Sequence, residues 1–221
     1  MHVIPGLLLT LALSGCSGTE KPHCSERFLS KWLGYSPDAW EIIKEEHTKY
    51  HLVFHSAGEL QHTYNCLRTV RSSPENRNKW ERNVHYKTSP DKSETLSGLS
   101  HVLLEKTSPF YVYDNALRAY YSRELSNQEF EKLFTTNEVI YAEKNKCLLM
   151  RSDLLGFQVW VHTRYLLPTG KIPYVCTFFY ECCTGTDKKW IYNRDQCPKK
   201  ADSLEEAGNR KQNKSLPAFC L

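Results

Sequence analysis

Tyr50-His51-Leu52-Val53-Phe54-His55 is the stretch from which the fold class is read. Tyr50, Leu52 and Phe54 alternate with His51, Val53 and His55, the two-residue period of a strand whose two faces meet different surroundings. Comparable segments recur at 64–71, 83–88, 99–106, 110–121, 138–142, 147–151 and 157–166, so seven or eight short strands are expected. Turn-rich pieces such as Ser72-Ser73-Pro74-Glu75-Asn76 and Ser89-Pro90-Asp91-Lys92-Ser93 separate them. The pattern is that of an antiparallel sandwich or barrel.

Helical signals flank this strand-rich region. Ser36-Pro37-Asp38-Ala39-Trp40 reads as a helix start, with Ser36 able to cap, Pro37 suited to the first position and Asp38 matched to the helix dipole. That helix is expected to run to about Glu46. From Ile172 to Cys183 the residues Val175, Phe178, Phe179 and Cys182 recur at helical spacing behind Pro173. Lys189 to Tyr192 then reads as a brief strand.

The chain has 221 residues, against roughly 150 for an average domain, which predicts one domain with appendages. Its 29 Lys and Arg oppose 25 Asp and Glu, giving +4, and both signs are mixed along the chain. A nucleic-acid binder would concentrate its basic residues on one face, so that class is excluded. Hydrophobic residues at 40% and aromatics at 12% furnish a packed core.

Nine Cys point to an oxidising compartment. Val3 to Leu13 is an apolar run too short to span a bilayer, and the small residues Ser14 to Gly18 follow it, as in a secretory signal peptide. Cleavage after Cys16, Ser17 or Gly18 removes Cys16 in each case. Leu13-Ser14-Gly15-Cys16 also fits a bacterial lipobox, against which stand the missing Lys or Arg ahead of the run and the eight further Cys. Those eight (24, 66, 147, 176, 182, 183, 197 and 220) suit four disulfides. The expected organisation is a signal peptide over 1–18, a leader over 19–35, a barrel domain over 36–197 and a polar tail over 198–221. The tail carries one glycosylation acceptor at Asn213. No membrane partner is expected of the mature chain, and a secreted monomer is.

Enzyme signatures are missing: there is no phosphate-binding glycine loop, no His-Glu-x-x-His pair and no Gly-x-Ser-x-Gly elbow. Adjacent Cys182 and Cys183 are better read as disulfide partners than as metal ligands, which usually sit two to four residues apart. Neither cofactor nor metal is expected.

The order of motifs carries a resemblance. Asp38-Ala39-Trp40 begins a helix, a Cys-bearing strand lies around Cys66, and Glu138-Val139-Ile140-Tyr141 precedes Cys147. Gln158-Val159-Trp160, Cys176 with an aromatic helix, and Ile191-Tyr192-Asn193-Arg194-Asp195-Gln196-Cys197 complete it. Over about residues 36 to 197 the chain resembles the tick salivary lipocalins, the histamine-binding protein family. The resemblance implies an all-β, eight-stranded antiparallel barrel with an N-terminal and a C-terminal helix. It further implies a secreted protein that sequesters a small host mediator, such as a biogenic amine, without doing chemistry on it. It also implies that Trp40 lies beside the ligand, and that Cys66 pairs with Cys197 and Cys147 with Cys176. Cys24 would then join Cys182 or Cys183, leaving the other for Cys220.

The chain departs from the amine-binding signature at two positions. Leu148 stands where Asp follows the Cys, and Gln158 replaces the Glu of the aromatic triplet. Two lost carboxylates forfeit charge-assisted bonds of about 1.5–3 kcal/mol each. If Gln158 faces the lumen, the two-residue period puts Trp160, His162 and Arg164 on the same wall, a neutral to basic surface suited to an acidic lipid such as a leukotriene or fatty acid. The competing reading sets His162 and Arg164 at the barrel mouth, in water. The remaining candidate carboxylates for an amine are Asp38, Glu59, Asp114 and Glu138. An alternative function uses surface loops to inhibit a host protease or complement component, with the barrel as scaffold.

Overall fold

The computed structural model describes residues 31, 34–44, 49–58, 65–71, 81–88, 96–124 and 130–197. The expected signal peptide, the tail, Cys24, Glu59, Asn213 and Cys220 lie outside them.

Eight strands run antiparallel to their neighbours: β1 Lys49–His55, β2 Arg68–Arg71, β3 Glu81–Thr88, β4 Leu96–Glu105, β5 Ala116–Glu124, β6 Phe130–Glu143, β7 Cys147–Ser152 and β8 Gly156–His162. They pair in the order β2-β3-β4-β5-β6-β7-β8-β1, and β1 pairs back to β2, so the ring closes as a barrel. A short β9, Lys189–Trp190, joins the second edge of β1 at Phe54 and His55. Three helices are described: α1 Ala39–Ile43, α2 Thr163–Thr169 and α3 Tyr174–Thr184.

Four elements differ from the sequence reading. α1 begins at Ala39 because Asp38, in extended backbone, accepts the Trp40 N–H at 2.9 Å; Asp38 is the cap, and neither Ser36 nor Pro37 is helical. The span 110–115 is a turn and not strand, since the buried Asn115 side chain accepts the Thr107 N–H and donates to the Thr107 hydroxyl, at 2.9 and 2.8 Å, folding the chain back. β6 begins at Phe130, eight residues earlier than the expected 138. β8 ends at His162, whose Nδ1 accepts the Arg164 N–H at 3.0 Å and starts α2 in place of further strand.

The alternation sorts side chains as the period requires except at Phe54, which was expected on the face of Tyr50 and Leu52. Tyr50, Leu52, Leu67, Val102, Leu117, Met150 and Trp160 fill the interior with α1 packed against them. Val53, Phe54, Leu149, Val159 and Val161 face outward beneath α3, where Phe54 meets Tyr180 edge-on at 4.7 Å. A bulge in β1 between Leu52 and Phe54 puts Val53 and Phe54 together in this outer layer. At the turn into β8, Gly156 has φ +64°, and a Cβ there would lie 2.3 Å from the Ser56 hydroxyl oxygen. That close approach lets Ser56 accept the Phe157 N–H at 2.8 Å and lock β8 onto the end of β1.

Cys66–Cys197 and Cys147–Cys176 are formed as the family resemblance implied. The first ties the entry to β2 to the segment beyond β9; the second fixes α3 to the start of β7. Cys183 is also disulfide-bonded, to a partner outside the described residues, and Cys182 is exposed. Replacing Cys66 and Cys197 together by Ser is expected to lower stability by about 2–5 kcal/mol in denaturant unfolding.

His51 supplies a second test. It is 2% exposed, faces Tyr192 edge-on at 5.4 Å, and its pKa falls from 6.5 to about 3, chiefly through burial and then through Arg68, Lys49 and His162. Its stabilising contribution is therefore complete above pH 6.5 and is lost as pH falls from 6.5 toward 3, where only the unfolded chain takes up the proton. His51→Phe should flatten the pH dependence of unfolding free energy in that window by about 1.4 kcal/mol per pH unit; an unchanged slope would refute the assignment.

Candidate functional site

A cavity of about 200 Å³ lies at the end of the barrel that α1 covers. Its floor is apolar, made by Ile42 of α1, Tyr50 of β1 and Leu148 of β7, all members of the interior cluster. Its rim is polar: Asp38 and Glu41 come from the start of α1, and Lys144 and Asn145 from the β6–β7 turn. Tyr35 crosses between these two sides.

Each part has a local cause. Asn145 takes φ +59°, a left-handed conformation that Asn tolerates, and closes the tight turn in which the Lys146 N–H meets the Glu143 carbonyl at 3.0 Å. The Tyr35 hydroxyl accepts the Ala142 N–H at 2.8 Å, and its ring packs on Tyr141 at 5.2 Å between centroids. Burial pushes the Tyr35 hydroxyl up to about 12, so it stays protonated. The β4–β5 connection holds α1 from the other side, through the Ala39 N–H and the Asp114 carbonyl at 2.8 Å.

Two carboxylates beside two phenol rings over an apolar floor suit a small organic cation, whose charge the acids hold and whose body the rings and floor cover. Glu41 also pairs with Lys44, which leaves Asp38 with the less encumbered charge: one of its oxygens caps α1. The volume is below the roughly 300–1,000 Å³ of pockets for drug-sized ligands, so one or two rings fit and a long acyl chain does not.

The expected site residues fall into three groups. Asp38 is on the cavity rim, while Trp40 packs half-buried against the interior cluster. Gln158 and Trp160 are buried in the barrel and bonded to each other, the indole N–H donating to Gln158 Oε1 at 3.1 Å. His162 faces inward, its ring edge-on to Tyr50 at 5.0 Å. Arg164 does not share that wall: it is an exposed residue of α2, because the strand has ended and the two-residue period no longer holds. Of the other acids considered, Glu138 is bonded to Arg151 and Asp114 belongs to the β4–β5 connection. Sequence reasoning missed Tyr35, Glu41, Tyr50 and Lys144. Tyr50 could have been found from the alternation of β1; the others come together only through the tertiary fold.

The family profile described as tick histamine binding protein matches residues 30–199. The chain belongs to the tick histamine-binding protein family. Among solved structures, this family member is similar to AM182 in its serotonin complex, with a TM-score of 0.51 and 14% identity over 75% of this chain and 95% of that one. It is also similar to japanin from Rhipicephalus appendiculatus bound to cholesterol, with a TM-score of 0.46 and 16% identity over 67% of this chain and 95% of that one. No curated protein matches it. The AM182 likeness supports the all-β lipocalin fold of this histamine-binding family member.

Tyr35→Phe tests the strap over the cavity. Loss of the hydroxyl acceptor should cost about 1 kcal/mol and speed hydrogen exchange at the Ala142 amide, with distant strand amides unchanged.

Proposed function

We propose that the protein is a secreted lipocalin that captures a small aromatic amine released by the host, removing it by stoichiometric binding and not by turnover. The observation that carries this reading is the cavity that sets Asp38 and Glu41 beside Tyr35 and Tyr50 above Leu148. Membership in the histamine-binding family supports it, as does the serotonin held by AM182. The cation is held by carboxylates of α1, so the losses at Leu148 and Gln158 do not remove the capacity for an amine. The acidic-lipid alternative drew on Arg164, and α2 takes that side chain out of the barrel wall.

Capture of a host protein by surface loops is a second reading, favoured by Phe110, Val112 and Tyr113. These three are 55%, 70% and 52% exposed on the β4–β5 connection that Asn115 holds in place.

Calorimetry with serotonin and histamine separates the two. The amine reading expects binding that Asp38→Asn weakens about tenfold to a hundredfold, the worth of one charge-assisted hydrogen bond, while the Asn side chain still caps α1. Absence of amine binding, or an Asp38→Asn variant that binds as tightly as the parent, would overturn it.

A further inference from the structure

Tyr35 lines the cavity without belonging to a helix or a strand. Among the described residues no backbone hydrogen bond holds Tyr35, Ser36 or Pro37, so the Tyr35 side chain has to fix its own place. Its hydroxyl meets the Ala142 backbone, and its ring lies on Tyr141 at 5.2 Å between centroids. Tyr141 follows the irregularity in β6 after Val139 and turns outward, where it packs against the outer layer and not the barrel interior. There Phe179 of α3 meets it, with 4.9 Å between ring centroids.

The place of Phe179 is set from the same turn that supplies the cavity rim. α3 is bonded to β7 through Cys176 and Cys147, and Phe179 lies one helical turn beyond Cys176, on the same side of the helix. Cys147 stands opposite Glu143 in the register, at the end of the hairpin that carries Lys144 and Asn145. A covalent bond beside the rim thus fixes α3, and α3 presents Phe179 to Tyr141. Tyr180, the next residue of the helix, packs on Phe54 of β1 instead. Ring pairs at these separations favour particular tilts, so removing one ring frees its neighbour to turn.

We propose that Phe179, which lies outside the cavity lining, is a positioning residue for the cavity: acting through Tyr141, it holds the Tyr35 ring at the tilt that covers a bound aromatic amine. The hydrogen bond at the Tyr35 hydroxyl fixes the far end of that side chain and leaves the tilt of its ring open; contact with Tyr141 closes it. Serotonin and histamine present flat rings, so tilt governs how well Tyr35 covers them. The role in binding rests on the amine reading; the hold of Phe179 on Tyr35 does not.

Phe179→Leu keeps apolar bulk and removes the ring. In the ligand-free full chain it should speed hydrogen exchange at the Ala142 amide about threefold to tenfold and shift the carbon-13 resonances of the Tyr35 ring. Phe157→Leu, in the same outer layer but beside the β7–β8 turn, should leave both unchanged. Serotonin affinity, measured by calorimetry, should fall about threefold to tenfold in Phe179→Leu and return in Phe179→Tyr, which restores a ring. A double-mutant cycle separates positioning from general weakening: in a Tyr35→Ala background, Phe179→Leu should no longer change serotonin affinity. An unchanged Ala142 amide and Tyr35 ring in Phe179→Leu, equal changes in Phe157→Leu, or an affinity loss that persists in full without Tyr35 would overturn the proposal. If the parent protein binds no amine, the amine reading fails, and the ligand-free measurements still decide whether Phe179 holds Tyr35. Should Phe179→Leu not fold, Tyr141→Leu removes the middle ring and is read in the same way.

Discussion

Ring closure through β1 is the constraint on which the rest depends. β1 pairs β8 along one edge, and its first three residues pair β2 along the other. That double pairing divides inside from outside for every strand, because a residue's face is set by its parity once the ring is shut. Tyr50 and Leu52 look into the lumen for this reason, and the bulge after Leu52 breaks the parity so that Val53 and Phe54 both take α3 on the outside. The Cys66–Cys197 bond reinforces the closure by holding the chain just before β2 to the segment after β9.

Where a strand ends decides what its residues can do. Trp160 and His162 face inward as the alternation of β8 requires, and the same rule failed for Arg164 only because His162 captures the Arg164 amide in the first turn of the next helix. Nothing in the period marks that exchange of strand for helix, and His is not among the residues that usually cap a helix. Asp38 was legible as a helix-start residue. Its place on a cavity rim was not, because the rim's other half lies more than a hundred positions later, in the β6–β7 turn. Local alternation and helix-start chemistry can be read from a sequence, whereas sites assembled across the barrel cannot.

The interior shows how one amide can change the character of its surroundings. Gln158 and Glu have nearly the same shape, so neither packing nor secondary structure distinguishes them. The difference lies in hydrogen-bond direction: Trp160 imposes an orientation on Gln158, and Gln158 imposes one on Asn137. From the sequence the replacement reads as a lost charge. In the fold it leaves a buried donor of Asn137, two strands away on β6, without a partner among the described residues.

The outer edge of β1 has a bearing on how the protein avoids self-association. Concentrated β-proteins with bare strand edges stick to one another. Here β2 covers that edge at Lys49 to His51, and β9 covers it again at Phe54 and His55, where Trp190 lays its ring on Phe54 at 5.0 Å. Two residues of strand thus act as an edge guard: they occupy the backbone groups of β1 at Phe54 and His55 to which another chain could otherwise add a strand.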